Sequence, residues 1–243
     1  MTHPPGLIGV LGGDISRFAR FYECLLAEMA PEGTDIFPIR GLWIADAING
    51  FIEVMKPQHR WLQIWANDHG FHPDILLRLL AHNVPLVAPL CVLRSPPNNF
   101  SLFHEVGDAY QSYHLAELQG KRGLLPVDAY GGPGMVIRRE VIEALGQPFF
   151  QCDPRHRTNP REDLYTVSRI RQAGFQPYCD LDTRISHLTV LEMWPTRTPA
   201  GEYGVSYYED TFFLGSLFAE DMRKRHAKEM AEQTDPLYHV FID

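Results

Sequence analysis

The chain has 243 residues, with 22 Lys and Arg against 30 Asp and Glu, which gives a formal charge of −8 at pH 7. Its hydrophobic content of 45% is enough for a buried core and excludes intrinsic disorder, a collagen-like repeat and a coiled coil. The acidic balance argues against nucleic acid as a partner, because proteins that bind it neutralise phosphates with clustered Lys and Arg.

Membrane and redox signals are also absent from the sequence. No run of about 18 uncharged apolar residues occurs, and the first residues lack the basic and apolar regions of a signal peptide. The cysteines are far apart and form no CxxC pair, so neither a structural zinc site nor a disulfide framework is expected. We therefore expect a soluble, cytoplasmic protein with reduced thiols and no transmembrane segment.

Strands and helices alternate over the first ninety residues. Apolar spacing predicts a strand at 7–11, a helix from about 15 to 29, a helix over 44–55, a strand at 61–65, a helix opened by Pro73 and a strand at 84–90. This alternation implies an α/β fold with a largely parallel central sheet flanked by helices.

The second half is less regular. Residues 94–127 show no sustained period of apolar residues, so we expect an irregular excursion of the chain over the sheet. Long segments of this kind are often functional. Order returns with a strand at 134–138, helices at 139–145 and 162–173, and extended pieces near 176–179 and 184–188.

We expect a single domain at 1–190 and a C-terminal extension at 191–243. An amphipathic helix is predicted over 208–232. Its apolar side is expected to pack on the body of the protein or on a second subunit, which would make a homo-oligomer, through Phe212, Leu214, Leu217, Phe218 and Met222.

Asp68 is the first candidate functional residue. It follows the predicted strand at 61–65, and ligands of open α/β sheets bind outside the carboxyl ends of the strands. A carboxylate there could hold a divalent cation that neutralises a diphosphate. A turn residue that caps the next helix is the simpler alternative.

Three further candidates lie later in the chain. Glu162 and Asp163 open a predicted helix, where capping would explain both, although a carboxylate at the mouth of a cleft could also accept a proton from a hydroxyl. His187 alternates within a short strand and is either structural or a ligand. The glycines at 9–13 do not form GxGxxG, and no GK[ST] occurs, so a dinucleotide site and a P-loop are not indicated.

Four segments, taken in order, resemble family 2 glycosyltransferases and their relatives with the nucleotide-diphospho-sugar transferase (GT-A) fold, over roughly residues 6–190. IADAIN at 44–49 is similar to the Ala-Arg-Asn helix of that family, and WAND with the following PDIL at 65–76 is similar to its strand, DxD motif and helix. GGPGMVIRREV at 131–141 is similar to its glycine-rich turn beside the acceptor. The stretch from EDLY at 162 to His187 is similar to the helix of the catalytic base and the metal-side histidine.

The resemblance implies an inverting transfer of a sugar from a nucleotide-sugar donor to a hydroxyl of a glycan, lipid, protein or small molecule. Carried over by position, it makes Asp163 the general base, and Asp68 and His187 ligands of a divalent cation, Mn²⁺ or Mg²⁺. The other implied contacts are with the donor at Val10, Asn49, Asn67 and Asp68, and with the acceptor at Gly132, Gly134 and Glu162.

Two positions depart from the family pattern. Ala66 stands where the first acid of DxD is usual, and Ile48 stands where an Arg is usual. Metal dependence is therefore open: the leaving diphosphate would be stabilised by a metal on Asp68 and His187, by basic side chains such as Arg161, or by nothing. The last case, a catalytically silent protein that binds a sugar nucleotide or glycan, is the main alternative. A metal hydrolase built on Asp68, His69 and His72 is a third possibility. The sequence predicts that Asp68, Asp163 and His187 meet in one cleft at the carboxyl ends of the strands.

Overall fold

The computed structural model describes residues 3–12, 18–94, 98–113, 115–154, 161–188, 193–197, 201, 203–207 and 210–213. Within these ranges the chain forms six helices and fifteen strands. The helices are α1 (Ala19–Ala27), α2 (Ile44–Glu53), α3 (Ile75–Ala81), α4 (Leu115–Leu118), α5 (Arg139–Leu145) and α6 (Glu162–Gln172). The strands are β1 (Leu7–Gly12), β2 (Asp35–Arg40), β3 (Trp61–Ala66), β4 (His69–Gly70), β5 (Leu86–Leu90), β6 (Leu102–Val106), β7 (Ala109–Ser112), β8 (Leu124–Pro126), β9 (Ala129–Tyr130), β10 (Val136–Arg138), β11 (Pro177–Arg184), β12 (Ser186–His187), β13 (Met193–Arg197), β14 (Tyr203–Tyr207) and β15 (Asp210–Phe213).

A seven-stranded sheet lies at the centre, in the order β2-β1-β3-β10-β5-β11-β8. β1 pairs in parallel with β2 and β3, and β5 pairs in parallel with β11. β10 is antiparallel to both β3 and β5, and β8 is antiparallel to β11. Five strands therefore point the same way, and the prediction of an α/β fold with a mostly parallel central sheet is confirmed.

Both faces of this sheet are covered at its centre, which explains why β1, β3 and β5 are largely apolar. Trp61, Leu62, Ile64 and Trp65 of β3 are all at most 2% exposed. One face packs with α2 and the other with α3, so successive side chains of the strand enter two separate apolar clusters. Burying such a side chain contributes about 1.5–3 kcal/mol, so β3 is held firmly where its last residues enter the candidate site.

Helix α2 explains one departure from the family pattern. Ala47, Ile48 and Phe51 form its buried stripe, and a Cβ added at Gly9 of β1 would lie 2.5 Å from the Phe51 ring. Ile48 is thus a core residue, 2% exposed, in a helix that packs directly on β1. An arginine at this position would place a charge in the core, so the apolar residue fits the packing found here.

Two parts of the chain differ from expectation. Strand β2 was not predicted, since its edge position leaves it partly exposed and without a clean apolar alternation. The prediction of an irregular excursion over 94–127 is also wrong in large part, because β6 and β7 form an antiparallel hairpin. Polar contacts dock that hairpin on α6, with Glu105 accepting from Ser168 at 2.6 Å and from Arg171 at 2.9 Å, so an apolar pattern could not reveal it.

The C-terminal extension is extended rather than helical where it is described. The predicted helix over 208–232 is wrong at Asp210–Phe213, which form β15 and pair with β14. β15, β14, β13, β12 and β4 form a second sheet, in which β13 joins the extension to the body at His187 and Met193. The predicted apolar residues Leu214, Leu217, Phe218 and Met222 lie outside the described residues. None of the helices described is both long enough and apolar enough to cross a bilayer.

Candidate active site

Short strand pairing brings Asp68 beside His187. β4 follows Asp68 directly and pairs with β12, so that His69 lies opposite His187. The Leu188 amide donates to the Asp68 carbonyl oxygen at 2.7 Å and closes this connection. The two residues that the sequence assigns to the metal side are therefore neighbours, at 3.5 Å between Asp68 Oδ2 and His187 Nε2.

The Asp68 carboxylate lies among three cationic or hydrogen-bonding groups. His69 Nδ1 lies 2.7 Å from Oδ1, and the Arg94 guanidinium contacts Oδ2 through Nη2. Burial alone would raise the pKa of Asp68, but the hydrogen-bonding groups around the carboxylate, with His69 at 2.7 Å, outweigh it and hold that pKa well below its usual range. Asp68 is therefore a fixed negative charge at neutral pH.

The orientation of His187 is set by the backbone. Its Nδ1 lies 3.0 Å from the Val92 carbonyl oxygen, which accepts only from a protonated ring nitrogen. Nε2 then carries the lone pair, and it lies 3.1 Å from Arg94 Nη2. The ring of His69 stacks on that of His187 with centroids 4.5 Å apart. Both the carboxylate and the imidazole thus accept from the same guanidinium.

These residues do not fit the divalent cation that the resemblance implies. Mg²⁺ and Mn²⁺ favour several oxygen ligands, whereas Asp68 is the one carboxylate that contacts His187 or Arg94 within the described ranges. The ligand atoms of His69, Cys91 and His187 lie within 4.8 Å of one another, but nitrogen and sulfur suit Zn²⁺ better than Mg²⁺. Burial also raises the pKa of Cys91 to about 12, which favours a thiol over a metal-binding thiolate.

Asp163 occupies the first turn of α6, against the glycine turn. A Cβ added at Gly131 would lie 3.1 Å from Asp163 Oδ2, so the missing side chain makes room for the carboxylate. Burial raises the pKa of Asp163 to about 6, the charge of Glu162 adds to this effect, and backbone hydrogen bonds from Leu164 and Gly132 oppose it. A carboxyl group with this pKa is suited to accept a proton near neutral pH.

The glycines of the turn have different surroundings. Gly132, at φ +126°, has only ordinary contacts near its Cβ position, with the Tyr130 and Ser101 hydroxyls at 3.8 and 3.9 Å. Gly134, at φ +81°, is packed against the core, where an added Cβ would lie 2.8 Å from Pro89 and 3.0 Å from the Trp65 ring. Gly134 therefore has a structural function whether or not an acceptor approaches it.

A chain of backbone contacts joins the two ends of the site. The Ser101 amide donates to the Cys91 carbonyl oxygen at 3.0 Å, and the Gly131 amide donates to the Ser101 carbonyl oxygen at 3.2 Å. The Ser101 hydroxyl also donates to the Gly131 carbonyl oxygen. Cys91 belongs to the cluster around His187, and Gly131 contacts Asp163. One cleft shared by Asp68, Asp163 and His187 stays a prediction.

The remaining predicted donor residues are largely engaged within the fold. Val10 is 3% exposed and pairs with Trp65, so a donor could reach only its backbone. Asn67 is 6% exposed, and its backbone N–H donates to the Leu11 carbonyl oxygen at 3.2 Å. The Asn49 amide group binds the backbone of Phe150 at both its nitrogen and its oxygen, at 2.9 and 3.0 Å. A direct role for these three in donor binding also stays a prediction.

Sequence reasoning missed several residues that contact the predicted ones. They are Arg94, Cys91, Ser101 and Gly131. Cys91, Arg94 and Ser101 lie between β5 and β6, at or beside the start of the segment that seemed irregular. The absence of a period there was a usable signal that the segment has a function, but it could not single out a residue.

No family model and no curated protein matches this sequence. Among solved structures, the crystal structure of A197 from STIV is similar with a TM-score of 0.55 at 13% identity, covering 82% of this chain and 92% of that one. The crystal structure of GalNAc-T7 with UDP, GalNAc and Mn²⁺ has a TM-score of 0.49 at 13% identity, covering 76% of this chain and 44% of that one. The first likeness shows a shared fold and nothing about activity. The TM-score of the second is too low to carry an argument.

Proposed function

We propose that this protein is a glycosyltransferase of the GT-A fold, similar to family 2, which moves a sugar from a nucleotide-sugar donor to an acceptor hydroxyl with inversion. The observation that carries the proposal is Asp163. Its carboxylate lies against a glycine turn at the start of α6, and burial raises its pKa to about 6. A group of this kind is a proton acceptor placed beside open backbone rather than a surface cap.

In the proposed reaction the acceptor hydroxyl lies over Gly131 and Gly132, within reach of Asp163. The carboxylate takes the hydroxyl proton as the acceptor oxygen forms a bond to the anomeric carbon. The bond from that carbon to the diphosphate oxygen breaks on the opposite side, and the nucleoside diphosphate leaves with the electron pair. Glu162, in the same helical turn, would contact the acceptor and keeps the pKa of Asp163 raised.

The donor would lie at the carboxyl ends of β1 and β3, with its diphosphate near Asp68 and His187. Negative charge grows on the diphosphate as it leaves, so the donor side must supply positive charge or hydrogen-bond donors. The acceptor class, whether glycan, lipid, protein or small molecule, depends on the shape of the pocket beyond the glycine turn.

Ala66 favours a second candidate function. Without the first acid of DxD, the protein could bind a sugar nucleotide or a glycan and catalyse nothing. This alternative keeps the donor site and removes the proton transfer at Asp163, so it predicts binding that is indifferent to the charge of that residue.

The two candidates separate in a direct assay. Purified protein is incubated with a panel of nucleotide sugars, with and without an acceptor panel, and both binding and release of nucleoside diphosphate are measured. The proposal predicts release for at least one donor, and the release should be faster with a matching acceptor. Binding without release for any acceptor or water would leave the binding protein as the function, and neither binding nor release would contradict both.

A further inference from the structure

Arg94 is a cationic side chain that contacts both Asp68 and His187 at the proposed donor side of the site. Its guanidinium lies between Asp68 and His187, the two residues that the family pattern assigns to a metal. Nη2 contacts Asp68 Oδ2 and lies 3.1 Å from His187 Nε2. A single nitrogen thus occupies the point that a metal bound to both residues would have to occupy.

We propose that the Arg94 guanidinium takes the place of the divalent cation and binds the diphosphate of the donor directly, so that donor binding needs no metal. This proposal rests on the proposed function, since it concerns the donor side of the same site. It deepens that function by naming the group that supplies the positive charge.

Arg94 has donors left for a diphosphate. A guanidinium carries five N–H groups, and among the described residues only those on Nη2 are engaged. The side chain is 51% exposed, so the rest of the group reaches solvent. Guanidinium and phosphate oxygens form paired, charge-assisted hydrogen bonds, which a simple point charge cannot match in direction.

The backbone that carries Arg94 is fixed in place. Asn98 donates through Nδ2 to the carbonyl oxygens of Leu93 and Arg94, at 3.1 and 3.2 Å. The Leu93 amide donates to the Asn99 carbonyl oxygen at 2.7 Å, and Val92 bridges to Phe100. The arginine is therefore anchored at both its backbone and Nη2 before a donor arrives, which lowers the entropy cost of binding.

The balance of charges supports replacement of the divalent cation by Arg94. In the family pattern two acids of DxD face a divalent cation, and the charges cancel. Here Ala66 removes one acid, and the single charge of Asp68 is matched by the single charge of Arg94. His187 adds no further need for a cation, because its Nε2 lone pair already accepts from Arg94. Loss of one acid and replacement of the metal by an arginine thus belong together.

The test measures binding of UDP, GDP, ADP and CDP by calorimetry in EDTA, in Mn²⁺ and in Zn²⁺. The wild-type protein is expected to bind at least one of them with the same affinity, within about twofold, in EDTA and in either metal. Arg94→Met is expected to weaken that binding at least tenfold in EDTA. Arg94→Lys, which keeps the charge and loses the fork, should fall between them.

Arg78→Met is the matched control, since Arg78 is also about half exposed and pairs with an aspartate, Asp74, at 2.7 Å. It should leave nucleotide binding unchanged, and thermal unfolding of each variant checks that it is folded. Two results would overturn the proposal for Arg94 and leave the proposed function standing. One is wild-type binding that requires Mn²⁺ or Zn²⁺, and the other is equal binding by Arg94→Met and wild type in EDTA. Failure of the wild type to bind any of the nucleotides under all three conditions would overturn the proposed function as well.

Discussion

Asp68 and Asp163 are both carboxylates at the ends of core elements, yet their surroundings act on them in opposite directions. Asp68 lies in the turn after β3, beside His69, His187 and Arg94, and its hydrogen-bonding surroundings outweigh the effect of burial and lower its pKa. Asp163 begins α6 beside a glycine turn and an acidic neighbour, and burial raises its pKa to about 6. One carboxyl group is kept ionised, and the other is kept ready to take up a proton.

In the proposed function, this difference gives each carboxylate a separate role. A carboxylate held by a cation and by hydrogen-bond donors is a poor base, because a proton would have to displace them, but it is a good anchor for a cationic group. A buried carboxylate with no cation beside it is a better base and a poor anchor. Pairs of acids whose pKa values are separated by their surroundings are how one site performs two tasks at one pH.

The largest effect is expected from a substitution of Asp163. Asp163→Asn keeps the shape of the side chain and its hydrogen bond with the Leu164 amide, but it cannot accept a proton. Transfer should fall by about a hundredfold to ten-thousandfold, while the affinity for the nucleotide sugar changes by less than about threefold. Steady-state rates and calorimetric binding measure the two effects.

Glu140→Gln is the control for that variant, because Glu140 is an exposed acid in the first turn of α5. It should change neither transfer nor binding. A rate for Asp163→Asn within threefold of wild type would show that Asp163 is only a helix cap.

The other side of the comparison is tested by Asp68→Asn. This change leaves Arg94 and His69 without their carboxylate, so the affinity for the nucleoside diphosphate should fall at least about tenfold and the free energy of unfolding by about 1–3 kcal/mol. Calorimetry and chemical denaturation measure the two quantities. Asp74→Asn removes an exposed pair with Arg78 and should cost at most about 1 kcal/mol with no effect on affinity. Equal results for the two variants would mean that Asp68 does not organise the site.

The smallest effect is expected in the glycine turn. Gly134 and Gly107 both have positive φ, at +81° and +59°, but only Gly134 is crowded by Pro89 and Trp65. Backbone strain is therefore common to Gly134→Ala and Gly107→Ala, and overpacking adds about 1–3 kcal/mol to the first alone. Gly134→Ala should melt roughly 2–10 °C below Gly107→Ala by differential scanning calorimetry. Equal melting temperatures would mean that Pro89 and Trp65 can move aside to accept the added methyl group. Contact with the acceptor would then be the remaining function proposed for Gly134.

Much of the fold was predictable from the sequence, for a physical reason. β1, β3, β5 and α2 have strong apolar periods because each is packed on the core, and the structure has them close to the predicted bounds. The failures occur where burial is weak or polar. β2 is an edge strand, the β6 and β7 hairpin is docked through Glu105, and β15 carries an apolar run that suits a helix equally well.

For the site, sequence reasoning named Asp68 and His187, which β4 and β12 bring together, and Asp163, which lies against the glycine turn, and the functions of all three stay predictions. It missed Arg94, because this residue lies outside the motifs and no local spacing marks its contacts with Asp68 and His187. It also could not show that Asn49 is occupied by the Phe150 backbone, since that contact joins residues about a hundred positions apart.

The central claim is that Asp163 is a base with a raised pKa, and the dependence of kcat/KM on pH tests it most directly. Below the pKa Asp163 holds its proton and cannot accept another, so activity requires the deprotonated form. The account predicts that kcat/KM rises about tenfold per pH unit at low pH and levels off above about pH 6. A kcat/KM that is flat from pH 5 to pH 8, or an acid limb that Asp163→Asn retains at the same pH, would contradict it.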